Sequence, residues 1–205
     1  MRVAINGFGR IGRSVFRILN SRKDVSVVAI NDIADNAAMA YLLKYDTVMG
    51  RFEDTVSLNG DIMATSKNEI KLVAERDPSH LPWADLDVDV VIEATGIFRE
   101  KSQLQQHVDA GAKRVILTVP SKDEIDFTLV IGVNDDGLTA NHKIVSNASC
   151  TTNCLAPMAK ILNDAFGIEY GVINTIHAYT NDQRLADVPH SDWRRSRAAA
   201  ENIIP

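Results

Sequence analysis

Ile5-Asn6-Gly7-Phe8-Gly9-Arg10-Ile11-Gly12-Arg13 is the stretch that decides the fold. It stands between a short apolar, β-like run at residues 2–6 and a helical pattern at residues 10–21. That pattern puts Ile11, Val15, Ile18 and Leu19 on one stripe. Gly7, Gly9 and Gly12 spell G-x-G-x-x-G. The first glycine admits a tight turn, the second lets a pyrophosphate approach the backbone, and the third lets the helix pack closely on the strand. Amides at the helix start then face the phosphates. Three glycines also make an ordinary turn, so the surroundings decide. Residues 25–31 form a continuous apolar run, as a strand buried on both faces should. Asp32 ends that run, where an acid accepts hydrogen bonds from a ribose diol. An acid here repels a 2′-phosphate, which favours NAD over NADP. The competing role for Asp32 is a helix cap or turn residue. Arg10 is either a phosphate contact or a solvated side chain.

Working outward, residues 36–44 read as a helix. Val56-Ser57-Leu58 and Asp61-Ile62-Met63 flank Asn59-Gly60, a two-residue hairpin signal. Residues 70–73 add another short strand, so residues 55–73 read as a small antiparallel insertion. Strands of parallel type resume at 88–94, 114–119, 127–133 and 143–147, with a helix at 102–110 ended by Gly111. Strands alternating with helices predict an α/β fold with a doubly wound, mostly parallel Rossmann-type sheet. Ala94-Thr95-Gly96 and Leu117-Thr118-Val119-Pro120 end strands and could line the same cleft. Plain turn chemistry explains them equally well.

After residue 149 the character changes. Residues 151–166 read as a helix that Pro157 bends, 168–178 as a long apolar strand, 179–192 as a polar loop, and 194–202 as the start of a helix. The expected domains are 1–149, for dinucleotide binding, and 150–205, the opening of an α+β catalytic domain. Asn202-Ile203-Ile204-Pro205 reads as a lead into more structure, so continuation is expected.

Ser149-Cys150-Thr151 ends a strand and opens a helix. A thiol there feels the positive end of the helix dipole, which favours the thiolate, and the amides there hold an oxyanion. Ser149 and Thr151 offer hydroxyls to an anion. The alternative is an inert, buried cysteine behind a Ser/Thr cap. Cys154, one turn on, is expected to pack in the core, since C-x-x-x-C without a second ligand pair is poor zinc spacing and no metal is expected. His177 follows Cys150 by one helix and one strand, so a return could bring the imidazole beside the thiol as a base. His80, His107, His142 and His190 are expected at the surface. Thr180 and Arg195 offer a hydroxyl and a guanidinium that could grip a phosphate. A solvated basic face is the competing role.

The chain has 205 residues, 45% hydrophobic and 24% charged, with a net charge of -5. That balance opposes a general nucleic-acid binder, although Trp193-Arg194-Arg195-Ser196-Arg197 is locally basic. Only two cysteines occur, which fits a reducing compartment. The N-terminus lacks a signal-peptide core and no apolar run is long enough to span a bilayer. Cytoplasmic residence is expected.

Together the glycine turn, Asn31-Asp32, the segment Ser-Asn-Ala-Ser-Cys-Thr-Thr-Asn-Cys ending at Cys154, His177-Ala-Tyr-Thr-Asn-Asp-Gln183, and the run from Arg195 to Pro205 resemble phosphorylating glyceraldehyde-3-phosphate dehydrogenases. The resemblance implies Cys150 as nucleophile and His177 as its base and activator. It implies that Arg10, Ile11 and Asp32 hold NAD, with Arg76 on the adenine side and Thr118 on the nicotinamide side. Ser149, Thr151, Thr180 and Arg195 would bind the phosphate of glyceraldehyde 3-phosphate and the incoming inorganic phosphate. It implies a homotetramer in which loop 179–200 packs on a neighbour's cofactor. Val188-Pro189 is similar to the NAD-specific form of that loop, while Thr118-Val119-Pro120 departs from the commoner Ser-Ala-Pro and keeps the hydroxyl. Family members continue well past Pro205, so the chain resembles a fragment. Two rivals stand beside this function: an erythrose-4-phosphate dehydrogenase, which uses water instead of phosphate, and an NAD-binding module without catalysis.

Overall fold

The computed structural model describes residues 1–204; Pro205, the last residue of one motif above, lies outside them. The chain divides into two units, Met1–Phe166 and Gly167–Pro205.

In the first unit the elements run β1 (Arg2–Asn6), α1 (Arg10–Ser21), β2 (Ser26–Asn31), α2 (Asn36–Lys44), β3 (Tyr45–Asp46), β4 (Gly50–Arg51), β5 (Ser57–Asn59), β6 (Ile62–Ala64), β7 (Glu69–Val73), β8 (Val90–Glu93), α3 (Lys101–Asp109), β9 (Arg114–Leu117), β10 (Phe127–Thr128), β11 (Ile144–Ser146) and α4 (Cys150–Phe166). Among the described residues, nine strands form one sheet in the order β10-β11-β9-β8-β1-β2-β7-β6-β5. The strands from β10 to β7 in that order pair in parallel, while β5, β6 and β7 pair antiparallel. The expected doubly wound sheet is present. Strand order reverses at β1, which has β2 on one side and β8 on the other, and that reversal opens a crevice at the carboxyl ends.

The pleat explains the two cores. Val3 and Ile5 of β1 join Phe8, Phe16, Met39 and Leu43 on the α1/α2 face. Ala4 of the same strand joins Trp83, Leu104 and Val115 on the α3 face. Alternate side chains point to opposite faces, so a strand covered on both sides must be apolar throughout.

Several local expectations differ from what forms. The buried face of α1 is Gly12, Phe16 and Asn20, while Ile11 and Ile18 are exposed. Gly12 has to meet the Gly7 carbonyl, and that contact sets the rotation of the helix. Asn20 is tolerated inside because its amide donates to Asp54 and accepts from Thr65 and Asn68. The β5–β6 hairpin turns at Gly60 (φ 61°) as expected, but it is no separate insertion, since β7 also pairs with β2 and carries the hairpin into the main sheet. The strand expected at 127–133 stops at Thr128. Asn134 and Asp135 side chains take the amides of Val130 and Gly132, and Gly132 adopts φ 78°. These local bonds compete with the ladder. His107 is not at the surface; it is fully buried between Trp83 and Glu93, because its two ring nitrogens both find partners there. Nor is Cys154 in a core. It is exposed on α4, a helix without a buried residue among those described.

The second unit holds little regular structure. Residues 168–178 form no strand, and Tyr170, Val172 and Ile176 are exposed. A strand exists only where its amides and carbonyls find a ladder partner, and no described segment pairs with this one. The helix expected at 194–202 is a single 3-10 turn, Trp193–Ser196, held by Asp192 accepting from the Arg194 amide.

Candidate functional site

A cleft of about 400 Å³ lies at the strand ends beside the reversal. Asn6, Gly7 and Gly9 end and follow β1, Asn31, Asp32 and Ile33 end and follow β2, Glu75 and Arg76 follow β7, and Ala94, Thr95, Ile97 and Phe98 follow β8. The expected Gly7, Gly9, Asp32 and Arg76 therefore meet on one surface.

Each glycine has its own reason. Gly7 adopts φ 91°, and a Cβ there would lie 2.6 Å from the Thr95 nitrogen. At Gly12 a Cβ would sit 2.1 Å from the Gly7 carbonyl oxygen. Gly9 caps α1 and lines the cleft, and a Cβ added to it would meet nothing within 4 Å. This free space beside a helix N-terminus suits a phosphate. Asp32 completes the fit. Its Oδ2 accepts from the Phe8 amide at 2.6 Å and its Oδ1 from the Ala34 amide at 2.9 Å. A carboxylate offers about four lone-pair sites, so two remain for a diol. The residues present thus suit a dinucleotide. Glu75 is held below the ordinary carboxylate range by the amides of Asp77 and Arg76, which keeps a second anion on the wall.

Other expected cofactor residues stand elsewhere. Arg10 is paired with Asp46 at 3.1 Å, and the amide of Met49, Arg10 itself and the amide of Val48 hold that carboxyl well below its usual range. Ile11 is half exposed and outside the cleft lining. Thr118 turns inward, its amide and hydroxyl both donating to the Glu93 carbonyl at 3.1 and 3.0 Å. Of the two strand-end stretches, Ala94-Thr95 lines the cleft and Leu117-Thr118 does not. Sequence patterns missed Asn6, Asn31, Glu75 and Phe98. Their signal was position alone: each stands at or just beyond the carboxyl end of a parallel strand, or on the loop leaving one.

Cys150 opens α4. The chain reaches it through Ala148 in the left-handed region at φ 56°, a strained conformation for a side-chain-bearing residue. Ser149 caps the helix, its Oγ accepting from the Thr152 amide at 2.9 Å. Asn153 reaches back to the carbonyls of Asn147 and Ser149 at 2.7 and 2.9 Å, which fixes the turn. Cys150 is exposed and Thr151 half-buried. His177, Thr180 and Arg195 belong to the second unit. His177 Nδ1 lies 2.6 Å from the Ala178 carbonyl, so that nitrogen carries a proton. The Thr180 amide and hydroxyl donate to Gln183, and Arg195 pairs with Asp182 at 2.6 Å.

Two family models match the chain, one in each part of the sequence. Residues 1–101 match the glyceraldehyde 3-phosphate dehydrogenase NAD binding domain family, and residues 149–205 match the C-terminal domain family. All of the chain aligns with glyceraldehyde-3-phosphate dehydrogenase of Streptomyces coelicolor at 55% identity, covering 61% of that protein. The Borreliella burgdorferi protein of the same name is 56% identical, with 62% covered. Glyceraldehyde-3-phosphate dehydrogenase 1 of Bacillus subtilis is 52% identical, with 61% covered. The chain thus spans about 61% of the length of the curated relatives it matches. No described helix is long and apolar enough to cross a membrane.

Proposed function

This chain belongs to the glyceraldehyde-3-phosphate dehydrogenase family and carries its NAD-binding domain, and from that premise we propose that the protein oxidises glyceraldehyde 3-phosphate, with inorganic phosphate, to 1,3-bisphosphoglycerate through a thioester on Cys150. One observation carries the proposal. Cys150 is the first residue of α4, behind a left-handed Ala148 and a Ser149 cap, in the unit that also holds the glycine-turn cleft.

NAD held at Gly7, Gly9, Asp32 and Arg76 supplies the two-electron acceptor. The chain's own groups do the rest. The dipole of α4 favours the Cys150 thiolate, which adds to the aldehyde carbonyl. The amides of Cys150 and Thr151, in the first turn of the helix, stabilise the oxygen as it gains charge. Protonation of that oxygen completes a hemithioacetal, and His177 Nε2 takes the hydroxyl proton back as the carbon gives up its hydride, which leaves the thioester. Ser149, Thr151, Thr180 and Arg195 bind the two phosphates, and a phosphate replaces Asp182 on the Arg195 guanidinium. Phosphate then cleaves the thioester. We further assign a homotetramer, with loop 179–200 against a neighbour's cofactor, and cytoplasmic residence. Exposed Leu185 and Trp193 give that loop apolar surface to bury.

The test is NADH formation from glyceraldehyde 3-phosphate with and without inorganic phosphate, in the protein and in Cys150→Ser. Phosphate-dependent NADH lost in the variant supports the proposal. NADH formed from erythrose 4-phosphate without phosphate refutes it in favour of that relative. A second function, NAD binding without turnover, is favoured by the absence of a strand at 168–178, the segment that carries His177. Iodoacetamide separates the two: Cys150 labelled far faster than Cys154 supports catalysis, and equal slow labelling supports binding alone.

A further inference from the structure

Glu93 ends β8 with no exposed surface, directly behind the cleft. Its Oε1 accepts from the Thr95 amide at 2.8 Å and from the Thr95 hydroxyl. Its Oε2 accepts from the Asn6 amide at 2.5 Å and lies 3.1 Å from His107 Nε2. Trp83 settles the proton on that imidazole. An indole N–H only donates, and it donates to His107 Nδ1 at 3.1 Å. Nδ1 is therefore the bare nitrogen, and Nε2–H donates to Glu93. Four groups able to donate thus converge on the two oxygens, an arrangement that suits a carboxylate. No Lys or Arg pairs with it among the described residues. An anion sealed inside a core and balanced only by neutral donors costs stability that an apolar side chain would not.

What this anion grips explains its presence. Asn6 and Thr95 both line the cleft, one on each side of the strand reversal. The Asn6 carbonyl oxygen in turn accepts from the Asn31 amide at 2.7 Å, and Asn31 bonds both the amide and the carbonyl of Glu75 at 2.8 Å. One hydrogen-bond chain thus runs beneath the cleft from Trp83 and His107 through Glu93 to Asn6, Asn31 and Glu75. Every side-chain amide in it has its direction set by its neighbours. We infer that Glu93 is a positioning residue for the dinucleotide: it fixes the strand ends that receive the cofactor without touching the cofactor itself. The inference rests on NAD as the occupant of the cleft.

Calorimetric titration of NAD into the full chain and into Glu93→Gln tests it, at a temperature where circular dichroism shows both fully folded. The glutamine NH2 must confront one pair of donors, whichever way it turns. NAD affinity falls about tenfold, corresponding to about 1.4 kcal/mol. Nitrogen-15 NMR supplies a readout that a merely structural role would not move: the His107 Nε2–H resonance shifts on NAD addition although His107 lies outside the cleft. Folded Glu93→Gln with the parent affinity overturns the inference. If that variant fails to fold, Thr95→Val decides, because it takes one donor from Glu93, together with the acceptor of the Ile97 amide; a severalfold loss with a displaced His107 resonance supports the inference, and an unmoved His107 resonance overturns it, since Thr95 itself lines the cleft. A parent chain that binds no NAD refutes the cofactor assignment itself, and this inference with it.

Discussion

Gly12→Ala and Gly9→Ala are the same chemical change three residues apart, and the structure assigns them opposite consequences. A Cβ at Gly12 would stand 2.1 Å from the Gly7 carbonyl oxygen, 3.1 Å from its carbon and 3.3 Å from Ile5 Cγ2. Ordinary contact begins at 3.4 Å, so α1 has to retreat by about 1 Å or more from the turn it starts on. The obstacle is backbone and cannot rotate away. Overpacking of this kind costs about 1–3 kcal/mol, with the upper end expected against a rigid carbonyl. Alanine returns about 1 kcal/mol of helix propensity. The net is a loss of about 2 kcal/mol, on a stability of about 5–15 kcal/mol for a domain. At Gly9 the added methyl meets nothing within 4 Å. Its backbone, φ -69° and ψ -159°, is open to any residue, so the fold loses only the poorer cap, about 1 kcal/mol or less. The methyl does fill space on the cleft wall where a phosphate would approach.

Urea unfolding followed by circular dichroism, paired with calorimetric NAD titration, separates the two. Gly12→Ala should lower the unfolding midpoint clearly. Gly9→Ala should keep the midpoint near the parent's and lose at least tenfold in NAD affinity, about 1.4 kcal/mol. Parental stability in Gly12→Ala refutes the close approach of helix and turn. Parental affinity in Gly9→Ala refutes the claim that this space belongs to the cofactor.

Asp32→Asn puts an NH2 against the Phe8 or the Ala34 amide, so it should cost about 1–3 kcal/mol in urea unfolding and narrow the preference for NAD over NADP in parallel titrations. Ala148→Gly removes the penalty of a side chain at φ 56°; a gain of up to about 1 kcal/mol is expected after the entropy of glycine is set against it, and a clear loss would contradict stored strain. Asp54 gives a pH prediction: burial opposes its charge, but hydrogen bonds from Asn20, Ser66 and the Thr55 amide win and lower its pKa to about 2. A carboxyl lowered on folding stabilises fully above its ordinary range and loses that contribution as pH falls toward about 2. The stability difference between the parent and Asp54→Asn, below about 1 kcal/mol after solvent screening, should therefore shrink between about pH 4 and pH 2, and a difference that grows there would reverse the sign.

The parts of this fold that were legible in sequence are those fixed by local rules. The glycine turn, the strand and helix of β1–α1 and the hairpin at Gly60 all follow from backbone permissiveness and periodicity within a few residues. What escaped depended on contacts between distant segments. The rotation of α1 followed the glycine contact and not the apolar stripe, because a backbone clash outweighs the exposure of two isoleucines. His107 looked like a lone surface imidazole, since the residues that bury it, Trp83 and Glu93, lie 24 and 14 positions away.

The same distinction separates the two halves of the candidate site. Asp32 and the glycines could be placed from sequence because the cleft is built from consecutive strand ends of a single sheet, where topology alone brings them together. Cys150 could be placed on its helix for the same local reason: a capped turn needs only Ala148, Ser149 and Asn153. The role of His177 depends on residues 168–178 reading as a strand, and hydropathy supplies only half of what a strand requires. An apolar run buries itself as a strand only when another segment offers a ladder, and none of the described residues does so. The proton on Nδ1 is nonetheless set locally, by the carbonyl of Ala178. The chemistry of that imidazole is therefore encoded in its own segment, whereas its approach to a thiol has to come from the packing that turns the segment into a strand.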